Sequence, residues 1–329
     1  MSDSVSVVIP LYNKAEYVER ALQSVFHQTV PPLELLVVDD GSSDGGAELV
    51  ERMDDARIRL IRQANAGVSA ARNRGIEAAR GALVAFLDAD DEWMPEFLET
   101  VIRLYANYPA CGAYAAAYTI IQGDGSTVVP SLVNIPPTPW EGLLDNYFRS
   151  SLPMDRRLVS KIKSCMRFSF GEPVWSSAVA VKKSVFEEIG GFALGEPQGE
   201  DLDMWGRIAI KYPIAYSSKP CSVYHNEVSP YRKIVKELPF VKSFREAEAK
   251  GIIDEAILQD VRDYVNMMQI NCAMQCIAGF QETRMGRSLL KNCPPSSLYK
   301  LPWLWWYLWS LMPAWLIKGT QATKQAISR

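Results

Sequence analysis

Two aspartates separated by one residue, Asp88 and Asp90, directly follow the apolar run ALVAFL, and Asp91 comes next. Side chains two positions apart at the end of a strand can face the same side. Paired carboxylates there form a hard oxygen site that suits Mn²⁺ or Mg²⁺, and such an ion can also hold a diphosphate. Three acids in four positions repel one another unless a cation lies among them, so a metal site is one interpretation and a solvated acidic turn is the other.

A second pair of acids, Asp39 and Asp40, ends the apolar run LELLVVDD. A carboxylate at this place can accept hydrogen bonds from the N–H of a nucleotide base or from a ribose hydroxyl. The alternative is structural: Asp40 and Gly41 form a turn, and Asp44 caps the next helix.

A third pair, Glu200 and Asp201, lies at the start of a predicted helix in the sequence GEDLDMW. One of these acids could take a proton from a substrate as a general base. Capping is the alternative, because the helix dipole favours acids at the amino terminus. Gly195 and Gly199 give the chain a flexible approach to this helix.

Alternating strands and helices position the first two pairs. The apolar run at 82–87 is typical of a parallel strand that is covered on both faces. The pattern predicts a doubly wound, mostly parallel α/β sheet, in which ligands bind outside the carboxyl ends of the strands. The predicted strands are 4–10, 33–39, 57–61 and 82–87, and the predicted helices are 15–28, 44–53 and 68–79.

Beyond residue 109 the pattern changes. Ser184 and Glu187 have the spacing of a capping box, which predicts a helix start there. We expect strands at 112–121 and 174–181, a loop around 135–139, helices at 184–189 and 201–211, and helical structure from about 235 to 291.

The segment 298–317, LYKLPWLWWYLWSLMPAWLI, is rich in tryptophan. It is short for a spanning helix, which needs about 20 apolar residues. Tryptophan and tyrosine favour the membrane interface, so we expect this segment to lie in the interface between flanking lysines. A hydrophobic packing surface or a dimer surface is the alternative.

Bulk properties narrow the class of protein. The formal net charge of −3 argues against a broad basic surface for nucleic acid. The first residues contain no basic region followed by an apolar run, so we expect no signal peptide. Six cysteines form no CxxC pair, and Cys272 and Cys276 have the spacing of one helix face, so a reduced, cytoplasmic compartment is expected.

Several ordered blocks resemble the family-2 glycosyltransferases, which have the GT-A fold. The blocks are SVVIPLYNKAEYVERALQSVFHQ, ELLVVDDGSSD, NAGVSAARNRGIEAARGALVAFLDADDEWMP, WSSAVAVKKSVFEEIGGF and GEDLDMW. The resemblance implies a GT-A catalytic domain at 1–230, with a nucleotide-sugar half at 1–110 and an acceptor half at 111–230. A helical region at 231–329, with the segment 298–317, completes the expected organisation.

The resemblance also implies a mechanism, because family members transfer a sugar with inversion at the anomeric carbon. Asp201 is implied as the general base, and Glu200 orients the acceptor or supports Asp201. Asp90 is implied as a ligand of Mn²⁺ or Mg²⁺, which neutralises the departing diphosphate. Asp88 contacts the ribose or the water shell of the metal, and Ala89 belongs to the same donor site.

Further positions of the nucleotide-sugar site follow from the same resemblance. Asp40 matches the acid that reads the base, with Asp39 close by. Pro10 and Tyr12 line the nucleotide pocket, and Arg72 faces the nucleotide. His225 matches a histidine that reaches the metal or the diphosphate in some relatives, although a polar loop histidine explains it equally well.

The sequence thus predicts an inverting glycosyltransferase that moves a sugar from a nucleotide diphosphate, by family habit UDP, to a saccharide or lipid-linked saccharide. We expect it at the inner face of the cytoplasmic membrane, in surface polysaccharide or glycan synthesis, and a homo-oligomer is possible. An inactive sugar-nucleotide-binding scaffold remains an alternative. A nucleotidyltransferase is disfavoured, because PLYNK stands where a Gly-rich, basic phosphate loop is expected. A dehydrogenase is disfavoured, because no GxGxxG follows the first strand of this chain.

Overall fold

A computed structural model describes residues 4–129, 141–144, 147–150, 174–196, 198–226, 238–279, 282–292 and 300–311. Its amino-terminal part alternates strands and helices, as predicted from the hydrophobic pattern. The strands are β1 (Val5–Leu11), β2 (Glu34–Asp39), β3 (Ile58–Arg62) and β4 (Leu83–Phe86). The helices between them are α1 (Ala15–Phe26), α2 (Gly46–Glu51) and α3 (Val68–Ala78).

The second part of the chain adds more strands and packs helices on both faces of the sheet. Its strands are β5 (Glu92–Trp93), β6 (Ala113–Ile121), β7 (Thr127–Val128), β8 (Glu141–Leu144), β9 (Val179–Lys182) and β10 (Ile214–His225). Its helices are α4 (Phe97–Asn107), α5 (Tyr147–Ser150), α6 (Lys183–Ile189), α7 (Glu200–Lys211), α8 (Pro239–Ala249), α9 (Glu255–Met274), α10 (Thr283–Lys291) and α11 (Lys300–Trp309).

One sheet joins these ten strands; eight follow the order β3-β2-β1-β4-β9-β6-β10-β5, while β7 pairs with β6 and β8 pairs with β10. Strand β1 lies between β2 and β4 and is parallel to both, whereas β9 is antiparallel to β4 and to β6. Because the chain leaves β1 toward β2 and returns to β4 on the other side, the strand order reverses beside β1. The predicted α/β fold with flanking helices is confirmed, although the sheet is mixed, and this reversal marks where such sheets bind ligands.

The two faces of the sheet carry separate apolar clusters, since successive side chains of a strand point to opposite faces. Val7 and Ile9 of β1 pack with α1 and α4, whereas Val8 packs in the opposite cluster. That second cluster also contains Phe86, Trp205 of α7 and the buried faces of the carboxyl-terminal helices. The helices predicted for 235–291 therefore share a core with the sheet.

The division of the chain at residue 230 falls at a place that the structure does not describe, so the domain boundary stays a prediction. Helices α8 to α10 account for the helical pattern of 235–291. Cys276 is buried and Cys272 packs against the same core, which agrees with a helix face. The loop expected around 135–139 also lies outside the described residues.

Two local predictions were wrong. The strand expected at 174–181 begins only at Val179, and a 3₁₀ turn over Ser176–Ala178 precedes it. Helix α6 has Lys182 at its N-cap and no side-chain capping hydrogen bond, so Ser184 and Glu187 form no capping box. Strand β9 runs directly into the helix, which leaves the cap position to the last strand residue.

The tryptophan-rich segment forms α11 over Lys300–Trp309, and the rest of 298–317 is described only to residue 311. Trp306 is buried and Trp303 packs against the core, where its ring stacks on Tyr307. Within the described ranges, no helix is long and apolar enough to cross a membrane.

Candidate active site

The predicted site residues gather at the carboxyl ends of β1, β2 and β4. The backbone N–H of Asp40 donates to Leu11 O at 2.8 Å, and the N–H of Leu87 donates to Val8 O at 3.1 Å. Pairing between β1 and β4 ends at Val8 and Phe86, two residues before Pro10. The two strands therefore separate at Pro10, and the loops that follow them border the point where the strand order reverses.

Asp40 is buried, and both of its carboxylate oxygens already accept hydrogen bonds. Oδ1 accepts from Gln63 Nε2 at 2.7 Å and from the Ala66 N–H at 2.9 Å, and Oδ2 accepts from the Gly67 N–H at 2.8 Å. Asp39 uses one oxygen, Oδ1, to accept from the Ser42 N–H at 2.9 Å. Asp40 thus fixes the loop before α3, and Asp39 has the freer carboxylate.

Asp44 fixes the starts of two helices. Its Oδ2 accepts from the N–H of Ala15, the first residue of α1, at 2.8 Å. Its Oδ1 accepts from the N–H of Gly46, the first residue of α2, at 3.0 Å. Asn13, with a left-handed φ of 49°, joins the same loops by accepting from the Ser43 N–H at 2.9 Å. The N-caps of the two helices are Gly45 and Lys14, so the predicted cap at Asp44 was placed one residue too early, but its carboxylate still holds both helix starts.

Each of the paired aspartates after β4 is neutralised by a cation of the protein itself. Lys14 Nζ lies 2.6 Å from Asp90 Oδ2, and Arg72 Nη2 lies 2.8 Å from Asp88 Oδ1. Arg20 also donates to the backbone carbonyl of Asp90. Ala89 between them is buried in the core. The repulsion expected among these acids is relieved here by two basic side chains.

Asp91 points away from this pair into the protein. Its Oδ2 accepts from Ser177 Oγ at 2.6 Å and from Trp175 Nε1 at 3.2 Å, and its Oδ1 accepts from the His225 N–H at 3.2 Å. Burial, together with the charges of Asp88 and Asp90, raises the pKa of the Asp91 carboxyl to about 8. Asp91 therefore holds the loop after β4 against β10 and the 3₁₀ turn.

Arg72 joins the paired aspartates to the start of α7. The side chain is 3% exposed, and while Nη2 binds Asp88, Nη1 lies 2.9 Å from Glu200 Oε1. Burial by itself lowers the pKa of Arg72, but the charges of Asp88 and Glu200 raise it overall. The Phe192 ring centroid lies 5.2 Å from the guanidinium. The structure thus brings together two acidic groups that are far apart in sequence, and a contact of Arg72 with a nucleotide stays a prediction.

Asp201 lies beside this ion pair at the amino terminus of α7. Gly199, with a left-handed φ of 84°, precedes the helix, and Asp201 Oδ1 accepts from the Leu202 N–H at 2.8 Å. Burial and the neighbouring charge of Glu200 raise the pKa of the Asp201 carboxyl to about 6, although Arg72 opposes the shift. A carboxylate with this pKa is ionised at neutral pH and basic enough to take a proton.

Tyr12 and His225 have different surroundings. Tyr12 follows β1 and is 50% exposed, so its ring is accessible to a ligand. His225 ends β10, where its Nε2 lies 3.1 Å from Glu92 Oε1. Metal binding by His225 stays a prediction.

The chemistry of the paired carboxylates fits a divalent cation. In the part of the chain that the structure describes, no group of three His, Cys, Asp or Glu side chains converges on one metal position. Mg²⁺ and similar ions nonetheless bind through one or two carboxylates and complete their coordination with waters and substrate phosphates. Asp88 and Asp90 would provide those carboxylates, and a diphosphate would supply further oxygens.

Sequence reasoning missed the partners that hold these acids. Lys14, Ser177 and Trp175 each contact an aspartate of the loop after β4. Trp175 and Ser177 lie in the WSSAVAV block, which was interpreted as a strand alone. The adjacent serines Ser176 and Ser177 lie in a block that resembles the family-2 glycosyltransferases. This was the one signal in the sequence that could have indicated a contact with the acids.

The fold is of the GT-A kind, an open α/β sheet with flanking helices. On this fold, paired aspartates follow the fourth strand and a further acid pair begins α7. Staphylococcus aureus TarS 1–349, solved in complex with UDP-GlcNAc, superposes with a TM-score of 0.64 at 17% identity and covers 91% of this chain and 83% of TarS 1–349. At this identity the likeness concerns the fold.

Sequence comparison gives the family. Residues 6–165, about half of the chain, match the model of glycosyl transferase family 2. Glycosyltransferase YibD of Escherichia coli is 43% identical over 105 residues, which are 31% of this chain and 30% of YibD. The teichuronic acid biosynthesis glycosyltransferase TuaG of Bacillus subtilis is 35% identical over 125 residues, which are 37% of this chain and 49% of TuaG. The matched regions therefore span less than half of these relatives.

Proposed function

We propose that the protein is an inverting glycosyltransferase that moves a sugar from a nucleotide diphosphate to a hydroxyl of a saccharide or lipid-linked saccharide. The observation that carries the proposal is the ion-pair bridge from Asp88 through Arg72 to Glu200. It brings the carboxylates suited to a donor diphosphate beside Asp201, a carboxylate suited to deprotonating an acceptor.

The reaction is a single displacement. Asp201 takes the proton of the acceptor hydroxyl as its oxygen forms a bond to the anomeric carbon. The bond from that carbon to the diphosphate oxygen breaks on the opposite side, and its electron pair leaves with the nucleotide. Attack from the face opposite the leaving group inverts the anomeric configuration, and Glu200 orients the acceptor beside the base.

The donor binds at the carboxyl ends of β1, β2 and β4 in this proposal. Both carboxylate oxygens of Asp40 already accept hydrogen bonds within the protein, so Asp40 holds the loop before α3. Asp39 then has the carboxylate that accepts the N–H of the base. Pro10 and Tyr12 line the pocket. UDP is the first nucleotide to test, since TarS was solved with UDP and with UDP-GlcNAc.

Asp88 and Asp90 would hold Mn²⁺ or Mg²⁺ in this proposal, and such an ion would supply positive charge against the departing diphosphate. His225 remains a candidate third ligand. Polysaccharide biosynthesis is supported by the likeness to TuaG, whose name refers to teichuronic acid. The particular sugar and acceptor hydroxyl depend on pocket shape.

We further propose that the protein works at the inner face of the cytoplasmic membrane and contacts it through the segment 298–317. Three leucines of this segment are about half exposed. They are Leu304 at 45%, Leu308 at 50% and Leu311 at 53%. Their spacing of four and three residues matches one face of a helix. An apolar stripe beside the buried Trp306 supports binding within the lipid interface.

The test is calorimetric titration of UDP, GDP and TDP into the protein, with and without Mn²⁺. We expect one nucleotide to bind tightly only with metal, and we expect Asp90→Ala to lose this binding. Asp124→Ala is the control, because Asp124 is an exposed turn residue remote in sequence from these acids.

If the folded protein binds no nucleotide under any condition, the proposed donor site is wrong. If the nucleotide binds but no sugar is transferred to any saccharide acceptor, the inactive scaffold becomes the better interpretation.

A further inference from the structure

Lys14 has an unusual position for a basic side chain, because it binds Asp90, the aspartate that is proposed to bind the metal. Its ammonium donates to Asp90 Oδ2 at 2.6 Å, and the two side chains are 27% and 18% exposed. A pair this sheltered is screened less by solvent and salt than a surface pair.

The backbone around Lys14 holds the side chain in this position. Asn13 is fixed to the loop after β2, and Lys14 is the N-cap of α1, where its carbonyl accepts from the N–H groups of Tyr17 and Val18 at 3.0 Å each. The Tyr17 ring centroid lies 5.6 Å from the ammonium. The stem of Lys14 is nevertheless flexible and partly exposed, in contrast to the buried, doubly paired Arg72.

Charge balance gives the consequence. Lys14 compensates the charge of Asp90, and Arg72 is shared between Asp88 and Glu200. A free divalent cation therefore has to displace Lys14 to reach Asp90, which reduces the attraction that it gains. A nucleotide diphosphate brings its own negative charges, which attract the metal and offer the displaced ammonium a new partner.

We propose that Lys14 sets the order of binding: it holds Asp90 until a diphosphate arrives with the metal, so that metal and nucleotide bind cooperatively. This inference rests on the proposed donor site. It assigns to Lys14 a positioning role, exerted through Asp90.

The test compares binding of Mn²⁺ alone, followed by electron paramagnetic resonance, with binding of Mn²⁺ in the presence of saturating UDP. In wild type we expect weak binding of the metal alone and much tighter binding with UDP. In Lys14→Met we expect Mn²⁺ alone to bind about ten-fold more tightly, the effect of losing one charge-assisted hydrogen bond. The enhancement by UDP should shrink accordingly.

Two controls separate charge from fold. Lys14→Arg keeps the cation and should keep the weak binding of Mn²⁺ alone. Lys219→Met removes an ion pair with Glu96 and should behave as wild type. Circular dichroism establishes that each variant is folded.

Equal affinity of wild type and Lys14→Met for Mn²⁺ alone would overturn the inference, as would the absence of Mn²⁺ binding in both. Tight metal-free binding of UDP to wild type that Lys14→Met abolishes would also overturn it, because Lys14 would then replace the metal. If no nucleotide binds at all, the proposed donor site is wrong. The affinities of wild type and Lys14→Met for Mn²⁺ alone still decide whether Lys14 competes with the metal for Asp90.

Discussion

Asp201 combines two requirements of a general base. Its carboxyl is held by the backbone at the start of α7, and burial with the charge of Glu200 raises its pKa to about 6. The charge of Arg72 opposes a larger rise of this pKa. The same arginine binds Asp88, so the base and the donor acids depend on one buried cation.

The pH dependence of transfer follows from this pKa. Below about pH 6 the Asp201 carboxyl is protonated and cannot accept the acceptor proton, so kcat/KM should rise with pH and level off above about pH 7. Asp201→Asn should lower kcat by about two to four orders of magnitude while nucleotide binding is retained. Steady-state kinetics between pH 5 and pH 8 with calorimetry of UDP measure both effects.

Glu255→Gln is a suitable control, since this exposed acid begins α9, outside the site. If Asp201→Asn keeps full activity and the same pH profile, Asp201 is not the base.

Several of these contacts could be predicted from the sequence and others could not. The acids after β2 and β4 were assigned to one edge, because the carboxyl ends of parallel strands meet there. The partners Lys14 and Ser177 were missed, because pairing between distant segments leaves no period in the sequence. The strand at 174–181 was predicted to start too early because Ser176 and Ser177 belong to a 3₁₀ turn and contact acids of the site. A β-branched, apolar pattern does not indicate such a turn.

At the scale of elements, α7 is held in place by α8. Gly206 of α7 lies against the ring of Phe240, and Ser243 Oγ donates to Asp203 Oδ1 at 2.5 Å. Asp203 also binds Arg207 Nε at 2.8 Å. The helix that carries Glu200 and Asp201 therefore depends on the carboxyl-terminal region, although no acid of the site lies there.

Gly206→Ala tests this dependence. A Cβ at this position would lie 2.1 Å from Phe240 Cε2, and the buried ring packs against Phe148 and Tyr264. We expect the free energy of unfolding to fall by about 1–3 kcal/mol, as is usual for overpacking. Urea denaturation measures the change.

The double variant Gly206→Ala, Phe240→Leu provides the control, because a smaller side chain relieves the clash. Its destabilisation should be smaller than the sum of the two single changes. Strict additivity would mean that the two residues do not constrain each other.

At the scale of the whole molecule, the carboxyl-terminal helices combine a buried and an exposed apolar surface. Trp306 is 4% exposed in the core, whereas Leu304 and Leu308 on the same helix are about half exposed. The buried surface attaches α11 to the catalytic fold, and the exposed leucines are available to a lipid surface.

Replacement of Leu304, Leu308 and Leu311 by serine should weaken binding to vesicles of anionic phospholipid by at least about ten-fold, because the apolar area that would enter the lipid is lost. Sedimentation with vesicles measures the bound fraction. The matched control replaces three exposed apolar residues elsewhere, Leu143, Leu194 and Ile252. Equal loss in both triple variants would mean that α11 has no special role in membrane binding.

The carboxylate of Asp44 has a consequence for how the protein opens and closes. It accepts from the first N–H of α1 through one oxygen and from the first N–H of α2 through the other, so fraying of either helix start loosens the carboxylate that holds the other. Local unfolding in proteins proceeds in cooperative units. We therefore expect the amides of Ala15 and Gly46 to exchange their hydrogens with solvent at similar rates, as parts of one such unit.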